Sequence, residues 1–263
     1  MKTLTTLRFI KALLTMNFRA SLASPGVFWL QVAFMALNNL LFCVTWWILF
    51  ERFEHIRGWT LADLLTLFGV GASGFGLSVV VAGGVRDLGQ VISDGELDSL
   101  LTQPKSPLLQ AVAARSLASG WGDVSSGLLL LGMAGQLQPL KLPILALGLT
   151  ISFTVFTATG IVLQSGAFWF GRIQSLARNI WELTITFSLY PPGLFGGALK
   201  LMLFTLIPAG FITYLPVQLL RDFNLPDAAL ALGGALGYSA LAGFVFARGL
   251  RHYESGNRVV VRI

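Results

Sequence analysis

Residues Pro25 to Phe50 read PGVFWLQVAFMALNNLLFCVTWWILF, a run without a single Asp, Glu, Lys or Arg. As a helix rising about 1.5 Å per residue, it is long enough to cross a hydrocarbon layer of about 30 Å with tilt. A charge at the bilayer centre costs about 3 kcal/mol or more, so gaps between charges are a direct detector of membrane spans. Such gaps recur along the chain, and the expected spans are 25–50, 61–83, 107–135, 142–170, 174–192 and 227–249. The second is rich in small residues (Gly69, Gly71, Ser73, Gly74, Gly76), and the third is interrupted by Arg115 and Asp123. Between the fifth and the last, the apolar stretch 193–216 is broken by Pro208 and Pro216 and follows Pro191-Pro192.

Composition agrees with this reading. Of 263 residues, 55% are hydrophobic and 11% charged, whereas soluble domains carry about twice that charge. An ordinary soluble enzyme, a disordered chain, a collagen and a disulfide scaffold are set aside together. The lone Cys43 cannot form an internal disulfide. The net charge of +6 is read as a record of topology rather than of nucleic-acid binding.

The distribution of Lys and Arg decides the number of crossings. With six spans and both termini inside, thirteen of the eighteen basic residues fall on the cytoplasmic side, the outer side keeping Arg52, Arg57, Lys141, Lys200 and Arg221. A seventh crossing would move the four C-terminal arginines outward and leave nine on each side. The expected fold is therefore all-α and integral to the membrane, a single transmembrane domain over 1–263 with six helices. Segment 193–216 then enters from outside and returns, tolerated where its free backbone groups face protein or water.

Residues 4–19 place Leu4, Leu7, Ile10, Leu14 and Phe18 on one helical face against Arg8, Lys11, Thr15 and Arg19, the pattern of a helix lying in the membrane interface. A basic tail that merely orients the first span is the alternative. The first apolar run is too long for a cleavable signal and lacks a small-residue cleavage site before it.

Ionisable residues within spans are the default place to look for function. Thr60-Leu61-Ala62-Asp63 has the capping-box pattern, with Trp59 and Leu64 placed as a hydrophobic staple, so Asp63 is assigned a structural role. Arg178 and Glu182 stand four apart and are expected to pair. Asp123 lies deep in the third span, where it faces either a wet path or a buried hydrogen-bond partner. A phosphate loop is absent, as is His-Glu-x-x-His; with only His55 and His252, no histidine metal site is expected. Gly71-Ala72-Ser73-Gly74 has the shape of an intramembrane serine nucleophile, but no histidine lies in a span to take its proton, so these glycines are read as close helix packing. Gly233 and Gly237 form a similar ridge suited to a contact within the chain or with another copy.

Between spans two and three, residues 85–104 read VRDLGQVISDGELDSLLTQP. Apolar residues at 85, 88, 92, 97, 100 and 101 fall at helical spacing around a Gly95 break, and Pro104 stops the second turn. A helix lying on the bilayer is the simplest reading, but anionic lipid would repel Asp94, Glu96 and Asp98, so a basic or mixed protein surface fits better.

With these residues in view the chain resembles the membrane subunits of ABC-type exporters, particularly the bacterial type-two export permeases. The resemblance rests on the N-terminal amphipathic helix, the six spans, and Ile92-x-x-Gly95-Glu96-Leu97-Asp98-x-Leu100-Leu101-x-x-Pro104. Tyr190-Pro191, Ile207-Pro208, Phe211 and Tyr214-Leu215-Pro216 are similar to that family as well. It implies a non-enzymatic permease domain over the whole chain, in a bacterial cytoplasmic membrane, with ATP and magnesium held on separate ATPase subunits. Two copies, or this chain and a paralogue, would form the path. Segment 85–104 would be the coupling helix, with Arg86, Leu88, Ile92, Gly95, Glu96, Leu97, Asp98, Leu100, Leu101 and Pro104 meeting the ATPase. Asp123, Ser73, Tyr190 and Pro191 would be candidates for path or gate. The alternatives are an ion-coupled secondary transporter, which needs midplane carboxylates and usually two related halves, and a membrane assembly protein without transport. No internal repeat is visible.

Overall fold

The computed structural model describes residues 2–53 and 58–254, and within them the fold is helical throughout, without strands. His55 and three of the basic residues that weigh on the topology, Arg57, Arg258 and Arg262, lie outside the described residues. The elements are α1 (Lys2–Ser21), α2 (Pro25–Arg52), α3 (Leu61–Val81), a 3-10 turn (Gly83–Asp87), α4 (Leu88–Ser93), α5 (Leu97–Leu101), α6 (Pro107–Val112), α7 (Ser119–Met133), α8 (Leu142–Ser165), α9 (Ala167–Phe170), α10 (Gln174–Ser188), α11 (Gly197–Met202), α12 (Leu215–Arg221) and α13 (Leu225–Leu250).

Among the described residues four helices are long and apolar enough to cross a membrane: α2, α3, the α8–α9 pair as Leu142–Phe170, and α13. Helices α7 and α10 have 15 residues each, so each spans about 22 Å, short of a hydrocarbon layer of about 30 Å. Four of the six expected spans are thus single long helices among the described residues. Span 107–135 is two helices, α6 and α7, separated by a non-helical turn, and span 174–192 ends as a helix at Ser188.

Both irregularities have a physical reason. The turn between α6 and α7 carries Arg115, whose guanidinium reaches Asp87 at 2.7 Å instead of entering the apolar interior. Its freed backbone groups are taken up by other elements. Asn17 Nδ2 of α1 donates to Ala113 O at 2.8 Å, Ser21 Oγ donates to Ser116 O at 3.4 Å, and Leu117 N donates to Val79 O at 3.3 Å. At the end of α10, Tyr214 Oη donates to Phe187 O at 2.8 Å and Thr213 Oγ1 to Ser188 O at 2.7 Å. These donors come from a π-helical turn, Gly210–Tyr214, in the segment expected to be re-entrant. Within that segment Leu203, Ala209, Ile212 and Thr213 are fully enclosed, and the last helical stretch, α12, continues past Pro216 to Arg221.

Helix α3 is the hub: 78% of its apolar window is buried, against 56% for α8–α9, 22% for α13 and 11% for α2. Its small residues are the cause. A Cβ built on Gly76 would lie 2.6 Å from Gly120 O, and one built on Gly120 would lie 2.8 Å from Gly76 O, so α3 and α7 meet backbone to backbone. Gly74 sits against Ser152 of α8, Gly127 against Ser73, and Gly122 of α7 against Val32 O of α2 at a Cβ distance of 2.5 Å. The packing role read for the Gly71–Gly74 stretch is thus present, and Ser73 is enclosed between α3 and α7. Gly233 and Gly237 have open space beside them, so among the described residues nothing packs against their ridge.

Adding one methyl group at two of these glycines separates the effects. Gly76→Ala forces two backbones apart and is expected to destabilise by about 1–3 kcal/mol, whereas Gly233→Ala is expected to be neutral or to stabilise by up to about 1 kcal/mol. Thermal unfolding in detergent micelles checks both.

Candidate functional site

Segment 85–104 folds as the sequence spacing requires. Helix α4 ends in a left-handed Gly95, φ +77°, with Glu96 N donating to Val91 O at 3.0 Å and Gly95 N to Ile92 O at 3.4 Å. This is the glycine-terminated helix end that a residue with a Cβ adopts only under strain. After it, α5 makes little more than one turn.

Its apolar residues point into the protein. Leu88, Ile92 and Leu97 are 0%, 5% and 0% exposed, in a core shared with Val85, Ala111, Val112, Ala158, Ile161, Ala167 and Phe246. Gly89 lies against Gln164, whose Nε2 donates to Arg86 O at 3.3 Å, and Gln174 Nε2 of α10 donates to Ser93 Oγ at 3.3 Å. Arg172 pairs with Asp94 at 3.7 Å. Arg86 is half-buried and lies over the Trp181 ring of α10 at 6.0 Å.

The residues proposed from sequence to meet a partner therefore divide. Glu96, Leu101 and Pro104 are exposed, Gly95, Asp98 and Leu100 are half-buried, and Leu88, Ile92 and Leu97 are enclosed and hold the segment to the bundle. Ser99, Thr102 and Gln103 complete the exposed tip. Sequence reading missed these three because short polar residues carry no periodic signal.

A second feature is a partly open cavity of about 320 Å³ lined by α2, α3, α7, α10 and the turn after α10. Its wall is mostly apolar, with Phe42, Phe68, Phe75, Leu130 and Ile185, and a few polar groups are placed in it: Asn38, Asn39, Asp123, Thr186 and Tyr190. Asp123 is 4% exposed. Asn39 Nδ2 donates to its Oδ1 at 2.8 Å and to Ser126 Oγ at 2.9 Å, and its Oδ2 accepts no hydrogen bond among the described residues. Tyr190 meets Phe42 and Trp46 edge-on at 6.4 and 5.8 Å between centroids.

Of the four path candidates from sequence, Asp123 and Tyr190 line this cavity. Ser73 does not, being enclosed against Gly127, and Pro191 is buried where the chain turns after α10. Asn38 and Asn39 were not singled out; two adjacent amides in an otherwise apolar span are the signal that marks them.

The other charged candidates are structural or open. Thr60 Oγ1 accepts from Asp63 N at 3.2 Å and Thr60 N donates to Asp63 Oδ2 at 2.9 Å, the capping box expected. Asp63 also pairs with Arg221 at 3.0 Å, and Arg221 lies over the Trp59 ring at 5.3 Å. Arg178 and Glu182, expected to pair, form no ion pair among the described residues; both are exposed. With Asn179 and Thr186 they give α10 a polar face, opposite the buried Ala177, Trp181, Thr184 and Ser188.

A family model described as "ABC-2 family transporter protein" matches residues 34–256. No curated protein and no solved structure matches the chain.

The buried Asn39–Asp123 contact is directly testable. Asn39→Ala removes the donor and strands the carboxylate, an expected loss of about 1–3 kcal/mol. Adding Asp123→Ala to that variant recovers part of the loss, because the stranded group goes with it. Unfolding midpoints of the two variants beside the parent protein provide the readout.

Proposed function

The chain belongs to the ABC-2 family of transporters, and on that premise we propose that it is one of two permease subunits enclosing the path of an ATP-driven exporter. Membership and the apolar helices make it a multi-pass membrane transporter subunit. The rest of this reading is our own: six crossings, both termini cytoplasmic, a bacterial inner membrane, a dimer, and ATP with magnesium bound by partner ATPase subunits. Helices α6 with α7, and α10 with the turn that follows it, make up the two crossings that no single long helix provides.

The observation that carries the reading is the exposed polar face of α10. Arg178, Asn179, Glu182 and Thr186 lie along a helix packed among membrane spans, and hydrocarbon does not solvate such a face. It belongs against water or a second polypeptide. A second copy turning the same face toward it, around a wet path, satisfies both conditions.

Coupling then runs from the exposed tip of segment 85–104 inward. Closure of the ATPase pair pushes on Glu96, Leu101 and Pro104, and the enclosed Leu88, Ile92 and Leu97 transmit the displacement to the bundle as a rigid lever. Arg86 contacts Trp181, Trp181 lies 5.8 Å from Phe75, and Phe75 lines the cavity, so the lever ends where the cavity begins.

The test is a pull-down of the tagged protein from native membranes in mild detergent, beside a variant carrying Glu96→Lys and Leu101→Asp. Both changes are at exposed positions, so the variant is expected to fold and to lose a phosphate-loop ATPase that the parent protein retains. Recovery of the parent protein with no ATPase, or equal recovery with the variant, contradicts the assignment.

A further inference from the structure

The cavity between α2, α3, α7 and α10 contains a chemical imbalance. One carboxylate, 4% exposed, sits in a wall that is otherwise mostly aliphatic and aromatic. Its Oδ1 is satisfied by Asn39, but Asn39 has divided its two N–H groups between Asp123 and Ser126, so none remains for Oδ2. Among the described residues no Lys or Arg forms an ion pair with Asp123. Arg86, the cation whose field reaches it, is held over Trp181.

A buried acceptor without a donor is destabilising, and a buried carboxylate more so than a neutral group. Most such groups in folded proteins are paired, so a stranded one beside an apolar cavity large enough for a small organic molecule points to a donor that arrives from outside. The aromatic edges of Phe42, Phe68 and Tyr190 suit an apolar body, and the carboxylate suits a single cationic donor attached to it.

We infer that this cavity binds a small amphipathic amine: a protonated nitrogen donates to Asp123 beside Asn39, and the hydrocarbon body lies between Phe42, Phe68, Phe75 and Ile185. Specificity comes from Asp123, because a ligand without a donor leaves Oδ2 unpaired and a carboxylate ligand adds like charge. As a statement about exported cargo, the inference rests on the permease reading above; as a statement about binding, it stands on the cavity alone.

The experiment uses the full-length protein in lipid nanodiscs and two photoreactive probes: a diazirine-bearing octylamine and the matching octanol. The amine is expected to label peptides covering 35–42, 68–75 and 185–190, with unlabelled octylamine competing. Asp123→Asn keeps the shape of the side chain and its bond from Asn39, and is expected to lower amine labelling there at least tenfold while leaving octanol labelling unchanged. Ala72→Phe fills the cavity from α3 and leaves Asp123 itself unchanged, and is expected to lower labelling by both probes.

Equal amine labelling of parent protein and Asp123→Asn overturns the inference. So does labelling that Ala72→Phe leaves unchanged, or labelling confined to the exposed faces of α2 and α13. Recovery of the ATPase is scored on the native membranes from which the protein is purified. Loss of site labelling with the ATPase present removes only this inference, and site labelling with no ATPase removes only the exporter reading.

Discussion

Hydrocarbon offers no hydrogen-bond partner, and this constraint governs each place where the chain departs from a simple bundle of long helices. The turn between α6 and α7 exists because Asn17, Ser21 and Val79 neighbour it closely enough to exchange hydrogen bonds with its backbone. Helix α10 stops at Ser188 where Thr213 and Tyr214 supply donors to its last carbonyls. In both cases irregular backbone lies where protein, not lipid, surrounds it. The same rule gives weight to two of the polar features that lack complete partners among the described residues, Asp123 Oδ2 and the exposed face of α10. They are where this chain expects something else.

Close backbone approach does the complementary work. Because lipid tails are as apolar as Leu, helices in a membrane gain little from apolar burial alone and rely on contact density. The Gly76–Gly120 crossing brings α7 against α3, and Gly122 brings α2 against α7, so Asn39 of α2 comes within reach of Asp123. The glycine contacts thus set the polar geometry of the cavity, and the cavity shares Phe75 with the route from the coupling segment.

Much of this was legible in the sequence, for reasons specific to each element. Charge-free runs located α2, α3, α8–α9 and α13 to within a few residues, because a charge is excluded from the same depth that fixes helix length. The break at Gly95 is legible because a left-handed helix end demands glycine there. The division of the third span was not legible. Arg115 marked it as irregular, but the groups that make the turn possible are Asn17 and Val79, far away in sequence. Asp123 was visible, whereas its partner Asn39 stands 84 residues away on another helix. The inward direction of Leu88, Ile92 and Leu97 also depends on what α8 and α9 place beneath them, which spacing alone does not reveal.

We propose that the polar face of α10 meets its counterpart in a second copy of the chain. In a Cys43→Ala background, a single cysteine replaces Asn179 on that face, and another variant carries one at Gly237 on the outer face of α13. Native membranes are then treated with a short bis-maleimide crosslinker. The account predicts a crosslinked dimer from position 179 and none from position 237. Crosslinking at 237 with none at 179 would place the partner on α13 and contradict it.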